Sequence, residues 1–518
     1  MAISSVFVRH NCVGVVTATP ARTWAVRWVL MLVLVYAASA VVTLRPIVDP
    51  DIWWHLRTGE WILEHRTVPT TDPFSAFGAD RPWTAYSWLF GLGMYGLWQL
   101  LGHIGIVLYP LLAGLAITTA MLVLVLRFEF NVPRAIALTA LGIAAITPVL
   151  MPPRSYLFTI VFFIVEIYVL LVARETGRIS LLWALPALFM LWANLHIQFI
   201  YGLAVLGMAV AEAVIARLGR DGGGPFRVRR SIPLRPLLLA SAACTAATLV
   251  SPYGVYIYRP VIEIGSHGLV YSLVIEFGAL TFRQPAHWMF LLVALAGVYS
   301  LGRQRELQLF PALLIAAGAY LSFATRRDVW FLVIVSLAII AITWGDRRVP
   351  RPTLRWAPAI AGTVLLCTIV TAVAMWRNLS ATSLEASLAA EYPVAAVAAV
   401  KHHRYPGPLY NTFDWGGFLI WQLPEHRVSM DGRTNIHGDH RIWRSFVTSM
   451  GQKGWDTDEE LHSARLVILP AGLALAELLR REPDYELVYE DAVAVVFTRR
   501  EHRDAVDGRR SGNGAARE

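Results

Sequence analysis

Apolar stretches close to the roughly 20 residues needed to cross bilayer hydrocarbon recur from Trp24 to Trp376, and no other feature limits the fold so strongly. In hydrocarbon every backbone N–H and C=O must be satisfied within the protein, so such stretches form helices. Apolar length places spans at 24–44, 104–126, 135–151, 156–173, 181–195, 199–216, 236–250, 286–301, 309–323, 329–344 and 356–376. The chain therefore reads as a polytopic α-helical membrane protein of about eleven transmembrane helices. Its composition agrees: 56% of residues are hydrophobic and 16% charged, against about 25% charged in ordinary soluble domains. The first span is long and lacks a small-residue cleavage site, so it reads as a retained anchor.

Arginine sets the expected orientation. With Arg9, Arg22 and Arg27 in the cytoplasm, the arginine-bearing loops 127–134, 174–178, 217–235, 303–305 and 347–355 all fall on that same side. The parity holds only if the stretch 86–101, rich in Gly, Trp and Tyr, lies in the interface without crossing. Three regions then face outward: a first loop 45–103, a second loop 251–285, and everything after Trp376. The expected location is the inner membrane of a bacterium, N-terminus cytoplasmic. The formal charge of +9 is accounted for by these loops, which removes the case for nucleic acid as a partner and leaves membrane lipids. Cys12, Cys244 and Cys367 are isolated, so neither a disulfide framework nor a thiolate metal site follows.

The expected domains are a transmembrane part, 1–376, a soluble α/β domain, 377–499, and a polar, disordered tail, 500–518. In the soluble part, 389–403 and 471–481 read as helices, and 408–411, 428–430, 465–469, 486–489 and 492–497 as short strands. The runs 411–417 and 431–435 each follow a strand, where ligand loops of α/β domains occur. Their glycines equally provide positive φ, and Asp414 can cap a helix. No GxGxxG, P-loop, HExxH or GxSxG motif stands in a usable context, which argues against nucleotide hydrolysis, zinc proteolysis and hydrolase chemistry.

The densest polar signal follows the first span: Asp49-Pro50-Asp51-Ile52-Trp53-Trp54-His55-Leu56, continuing to Glu60. Carboxylates at a membrane surface are costly to desolvate without partners or a task. If a helix starts near Asp51, that residue and His55 share a face one turn apart. Asp51 could equally cap an interfacial helix, and Asp72-Pro73 reads as turn chemistry. Asp51 and His55, with Glu60 nearby, could hold a divalent cation, although an acidic–His spacing alone is thin support. Arg154, His196, Tyr253 and Arg259 are further polar residues on the same expected side that could line a pocket.

This arrangement resembles the GT-C superfamily of lipid-linked-sugar glycosyltransferases, which contains protein mannosyltransferases and aminoarabinose transferases. The likeness rests on the acidic pair after the first span, an interfacial helix, a proline-bearing loop and about eleven helices followed by an exterior domain. It covers 24–376; Asp-Pro-Asp stands where the superfamily more usually has Asp-Glu. The resemblance implies a polyprenyl-phosphate-linked sugar donor, an unidentified glycan, lipid or protein acceptor, and an acidic catalytic residue at Asp49 or Asp51. Asp51 is favoured because Pro50 keeps Asp49 extended at the membrane edge while Asp51 opens the helix. A basic residue in a late exterior turn is implied to hold the lipid phosphate, which maps onto Arg326 or Arg327. Some superfamily members use a divalent cation. The rival reading is a non-enzymatic transporter or assembly protein for envelope polymers. That reading needs ionisable residues at mid-membrane, and Glu166 and Glu212 are the main ones.

Overall fold

The computed structural model describes residues 21–44, 49–77, 81–218, 231–266, 268, 273–304, 308–346 and 381–500, with scattered positions between 362 and 373. The membrane part contains α1 (Ala21–Thr43), α2 (Asp51–His65), α3 (Trp88–Leu101), α4 (His103–Leu126), α5 (Val132–Leu150), α6 (Tyr156–Thr176) and α7 (Leu185–Leu195). It continues with α8 (Phe199–Leu218), α9 (Leu234–Thr248), α10 (Arg259–Ser266), α11 (Pro285–Gly302), α12 (Leu309–Ala324) and α13 (Val329–Trp344). Among the described residues, six helices are long and apolar enough to cross a membrane and four more apolar helices are shorter. The expected span 356–376 and the tail beyond Arg500 lie essentially outside the described residues.

Local chemistry explains several boundaries. Asn131 Oδ1 accepts from the Arg134 N–H and Pro133 sits in the first turn of α5, and Gly177 ends α6 in the left-handed region at φ 72°. The outward faces stay apolar: Leu34, Leu100, Leu239 and Ile262 are exposed, as lipid contact requires. At the centre α13 is buried on almost every side, with Trp330 and Phe331 against Phe163 at ring separations of 5.1 and 4.4 Å.

The two ends of the bundle differ. At one end, arginines of the short loops are paired: Arg127 with Glu175 at 2.8 Å, Arg134 with Glu129 at 3.1 Å and Arg174 with Glu212 at 2.8 Å. Glu212 also accepts from the Phe310 N–H at the start of α12, at 3.0 Å. It is thus a helix-end partner, and the expectation of a mid-membrane charge there is corrected. Glu166, on α6, is buried and neither carboxylate oxygen finds a partner among the described residues. At the other end lie α2, α3 and the turns 151–155, 196–198 and 325–328. Both ends of α3 stay there: Ser87 meets Ser155 at 3.3 Å, and His103, just beyond its far end, lies edge-on to Trp53. The helix does not cross.

The C-terminal part packs on this second end. Its helices are α14 (Ala381–Glu391), α15 (Val394–His403), α16 (Phe413–Gln422), α17 (Thr434–Ser449), α18 (Glu459–Ser463) and α19 (Ala474–Leu479). They surround a four-stranded sheet of order β1-β2-β4-β3, formed by β1 (Leu409–Asn411), β2 (Leu466–Pro470), β3 (Tyr485–Glu490) and β4 (Ala494–Arg499). β1 runs parallel to β2, and the other pairs are antiparallel. The expected strand 428–430 is reduced to single bridges, in which Val428 joins Leu409 on one side and Ser75 of the first loop on the other. Backbone pairing therefore runs from the sheet into that loop. Nearby, α16 packs on α2, with Phe418 edge-on to Trp53 at 5.3 Å.

Candidate active site

The site is assembled at the start of α2. Pro50 precedes the helix and Asp49 Oδ1 accepts from the Asp51 N–H at 2.9 Å, so Asp49 closes the entry turn while Asp51 opens the first turn. Asp51 Oδ1 accepts from Trp54 Nε1 at 3.2 Å. Arg154, just after Pro152-Pro153 in the break between α5 and α6, joins three carboxylates. Its Nε donates to Asp49 Oδ2 at 2.6 Å, and its Nη1 lies 2.6 Å from Glu276 Oε1 and 3.1 Å from Asp51 Oδ2.

Across the same space stands the turn that joins α12 to α13. Asp328 anchors it by accepting from Gln198 Nε2 at 2.7 Å, Tyr201 Oη at 2.9 Å and Thr325 Oγ1 at 2.9 Å. Arg327 lies over the Tyr156 and Phe277 rings, 3.8 Å from Glu276 Oε1, and its Nη2 is 3.1 Å from His196 Nε2. A guanidinium can only donate, so that ring nitrogen accepts; on the other side of the ring Nδ1 lies 2.9 Å from Thr159 Oγ1 and 3.4 Å from the Gln198 N–H. Burial, reinforced by the Arg327 charge, holds His196 well below the usual histidine range. Arg326 turns the other way and donates from Nε to Ala279 O at 3.0 Å, tying the second loop to this turn.

These elements enclose a cavity of about 1060 Å³ lined by Asp51, His55, Arg154, His196, Glu276, Arg326 and Arg327, and by Asp414, Gly432 and Asn435 of the C-terminal domain. Burial and the neighbouring charges of Asp49 and Glu276 push Asp51 up to about 7, against the opposing pull of Arg154 and Trp54. Burial alone would raise Glu276 too, but Arg154 and Arg327 hold it below the ordinary carboxylate range. His55 is pushed well down by burial and by Arg154. Arg327 Nε, Gln198 Oε1 and His287 Nδ1, all on cavity-lining residues, have no partner among the described residues. Unmatched buried polar atoms of this kind cost about 1–3 kcal/mol each unless something supplies the missing bond.

Three of the expected pocket residues are not brought here. Glu60, on another face of α2, takes Arg57 at 2.5 Å and Tyr95 Oη at 3.3 Å. Tyr253 Oη donates to Pro69 O and accepts from the Ala85 N–H, bracing the first loop. Arg259 pairs with Glu263 one turn away. Of the expected cation pair, both members line the cavity: His55 lies against Trp54 at 3.6 Å between ring centroids and meets Phe90 edge-on, while Asp51 is engaged with Arg154. Among the described residues no group of three His, Cys, Asp or Glu is arranged to hold a metal ion.

Glu276 was not singled out from sequence. Val274-Ile275-Glu276-Phe277-Gly278 nearly repeats Val261-Ile262-Glu263-Ile264-Gly265, and only the tertiary arrangement sends one glutamate to Arg154 and the other to Arg259. The role of Gly432 is also different from the turn chemistry expected: its φ is not positive, and a Cβ there would overlap Asp51 Oδ1. Gly417 likewise leaves room for the Pro50 carbonyl. Both are glycines of close approach, and they let the C-terminal domain lie directly on the start of α2.

No family model matches the sequence, and no curated protein sequence matches it significantly. Among solved structures, the oligosaccharyltransferase AglB from Archaeoglobus fulgidus, in complex with an inhibitory peptide and a dolichol-phosphate, superposes with a TM-score of 0.50. The alignment covers 86% of this chain and 70% of that one at 12% identity. The chain shares the fold of that oligosaccharyltransferase. ArnT from Cupriavidus metallidurans, bound to undecaprenyl phosphate, aligns over 92% of this chain and 98% of its own at 14% identity and a TM-score of 0.46. At such identities the likeness is one of fold, and the chemistry rests on this chain's own cavity.

Proposed function

We propose that this protein is a membrane glycosyltransferase that moves a sugar from a polyprenyl-phosphate donor to a hydroxyl of a cell-envelope acceptor, on the outer side of a bacterial inner membrane. The observation that carries the reading is one cavity holding both a carboxylate raised to about 7, on Asp51, and a guanidinium with an unmatched donor, on Arg327. A base whose pKa lies near ambient pH is ionised often enough to accept a proton and basic enough to want it. Asp51 takes the acceptor's hydroxyl proton as the oxygen attacks the anomeric carbon. The bond from that carbon to the phosphate oxygen breaks with inversion, and the charge left on the lipid phosphate is met by Arg327, with Arg326 at the rim.

Two further observations support this reading. The paired arginines of the opposite end suit the cytoplasmic side, which leaves the cavity outside. AglB, which shares the fold, was solved with a dolichol-phosphate, a lipid of the donor class proposed. The transporter reading loses one of its two mid-membrane charges, because Glu212 is a paired helix-end residue. The test uses the full chain in nanodiscs with a panel of polyprenyl-phosphate sugars, following release of the lipid phosphate. Asp51→Asn should lower turnover by the 10²–10⁴ of a lost general base while donor binding persists. Full turnover in that variant would remove the carboxylate mechanism and leave transport as the better account.

A further inference from the structure

Asp51 and Glu276 line the cavity from two separate stretches of chain and share Arg154 with Asp49, and three carboxylates gathered on one side chain repel one another unless a cation sits among them. Carboxylate oxygens are the usual ligands of hard divalent ions. Here the centre of the cluster is taken by a side chain. Arg154 bonds Asp49 through Nε and both Asp51 and Glu276 through Nη1, and Tyr109 Oη donates to the Arg154 main-chain carbonyl at 2.9 Å, which pins the backbone that carries it. An arginine charge is permanent and its planar donors suit carboxylate oxygens, whereas a metal ion needs those same lone pairs.

We propose that Arg154 stands in the place of a divalent cation, so that the site works with a built-in guanidinium and has no coordination sphere left to offer a metal. Arg154 then has two duties. It cancels charge so that Asp49 can close the turn and Glu276 can face Arg327, and it pulls down the proton affinity of Asp51, which the other two carboxylates raise. It is a positioning residue that acts through Asp51. The inference rests on the glycosyl-transfer reading only where turnover is measured.

The experiment therefore has a binding arm that needs no substrate. Purified full-length protein in nanodiscs is titrated with Mn²⁺ and bound ion is followed by electron paramagnetic resonance, for the wild type, Arg154→Lys and Arg154→Ala. The wild type and Arg154→Lys, which keep the cation, should bind no Mn²⁺ at the cavity. Arg154→Ala should gain a site that disappears when Glu276→Gln is added. In the second arm, donor turnover by the wild type should be unchanged by EDTA and by added Mg²⁺ or Mn²⁺. Stoichiometric Mn²⁺ binding by the wild type that is lost in Asp51→Asn would overturn the proposal, as would turnover abolished by EDTA and restored by metal. Arg154→Ala that folds yet gains no site would also overturn it. If Arg154→Ala fails to fold, the wild-type and Arg154→Lys titrations still decide. An absence of turnover with every donor would count against the transferase reading and leave the binding arm standing.

Discussion

Replacing Arg433 with Ala should loosen the C-terminal domain from the membrane part, because this side chain is the charge clamp between them. Nη1 of Arg433 donates to Asp72 Oδ1 of the first loop at 2.7 Å; Nε and Nη2 take the two oxygens of Asp431 at 2.8 and 2.7 Å, and Nη2 reaches Ser75 Oγ at 3.2 Å. The guanidinium also lies 4.7 Å from the Trp83 ring and 5.1 Å from Phe74. Arg433, Asp72 and Asp431 are all buried. Removing the cation strands two buried carboxylates, and breaking a buried pair from one side costs about 3–5 kcal/mol. The lost ring contacts add on the order of 1 kcal/mol. Limited proteolysis of the full chain in nanodiscs, together with its thermal unfolding, reads the effect. Arg433→Ala should be cut readily around residues 404–408 and should lose donor turnover as Gly432 leaves Asp51. Adding Asp72→Asn and Asp431→Asn should recover part of the docking, since the stranded charges are then gone. Cleavage and unfolding indistinguishable from wild type in Arg433→Ala would refute the clamp. The pH dependence has a defined sign. Burial would raise Asp431, but Arg433 and then His437 hold it far below its unfolded value near 4, so its contribution is full above about pH 4 and fades as the pH falls below that. Docking should therefore weaken in acid and stay level from neutral to mildly alkaline pH.

Other outcomes follow from the cavity. Donor turnover at low donor concentration should rise with pH through an apparent pKa near 7, because Asp51 must be unprotonated to act; a flat profile from pH 5 to 9 would exclude it as the titrating base. Arg327→Ala should cost on the order of 2–4 kcal/mol in kcat/KM for the lipid donor, and Arg326→Ala less, since its Nε is engaged with Ala279 O; equal losses would put both at the phosphate. Gly432→Ala should lower turnover without loss of membrane insertion, because the new methyl group must displace either Asp51 or the loop, and unchanged rates would show that the domain wall can retreat freely. Reporter fusions after Arg230 and Arg348 should be cytoplasmic and those after Gly268 and Arg433 exterior; an exterior signal at Arg230 would invert the orientation proposed for the site.

The membrane helices were legible in the sequence because a span is a local property: about 20 apolar residues and the surrounding lipid suffice, whatever the rest of the chain does. The grouping of the arginine loops at one end is of the same kind, since each crossing reverses the side. Even the start of α2 is local, with Pro50 and Asp51 marking it. What only the tertiary structure decided is which charges meet. Arg154 and Asp49 are 105 residues apart, and Arg433 and Asp72 are 361 apart. Glu60 belongs to the same helix as Asp51, yet it faces away on that helix, and Glu276 and Glu263 share nearly the same neighbours but have different partners. Gly432 carries no positive φ that a turn pattern could reveal; its lack of a side chain matters only because another part of the chain arrives against it. Such convergence depends on how helices pack and on where the loops between them are pinned, and those are properties of the whole assembly of contacts, which no single stretch of residues encodes.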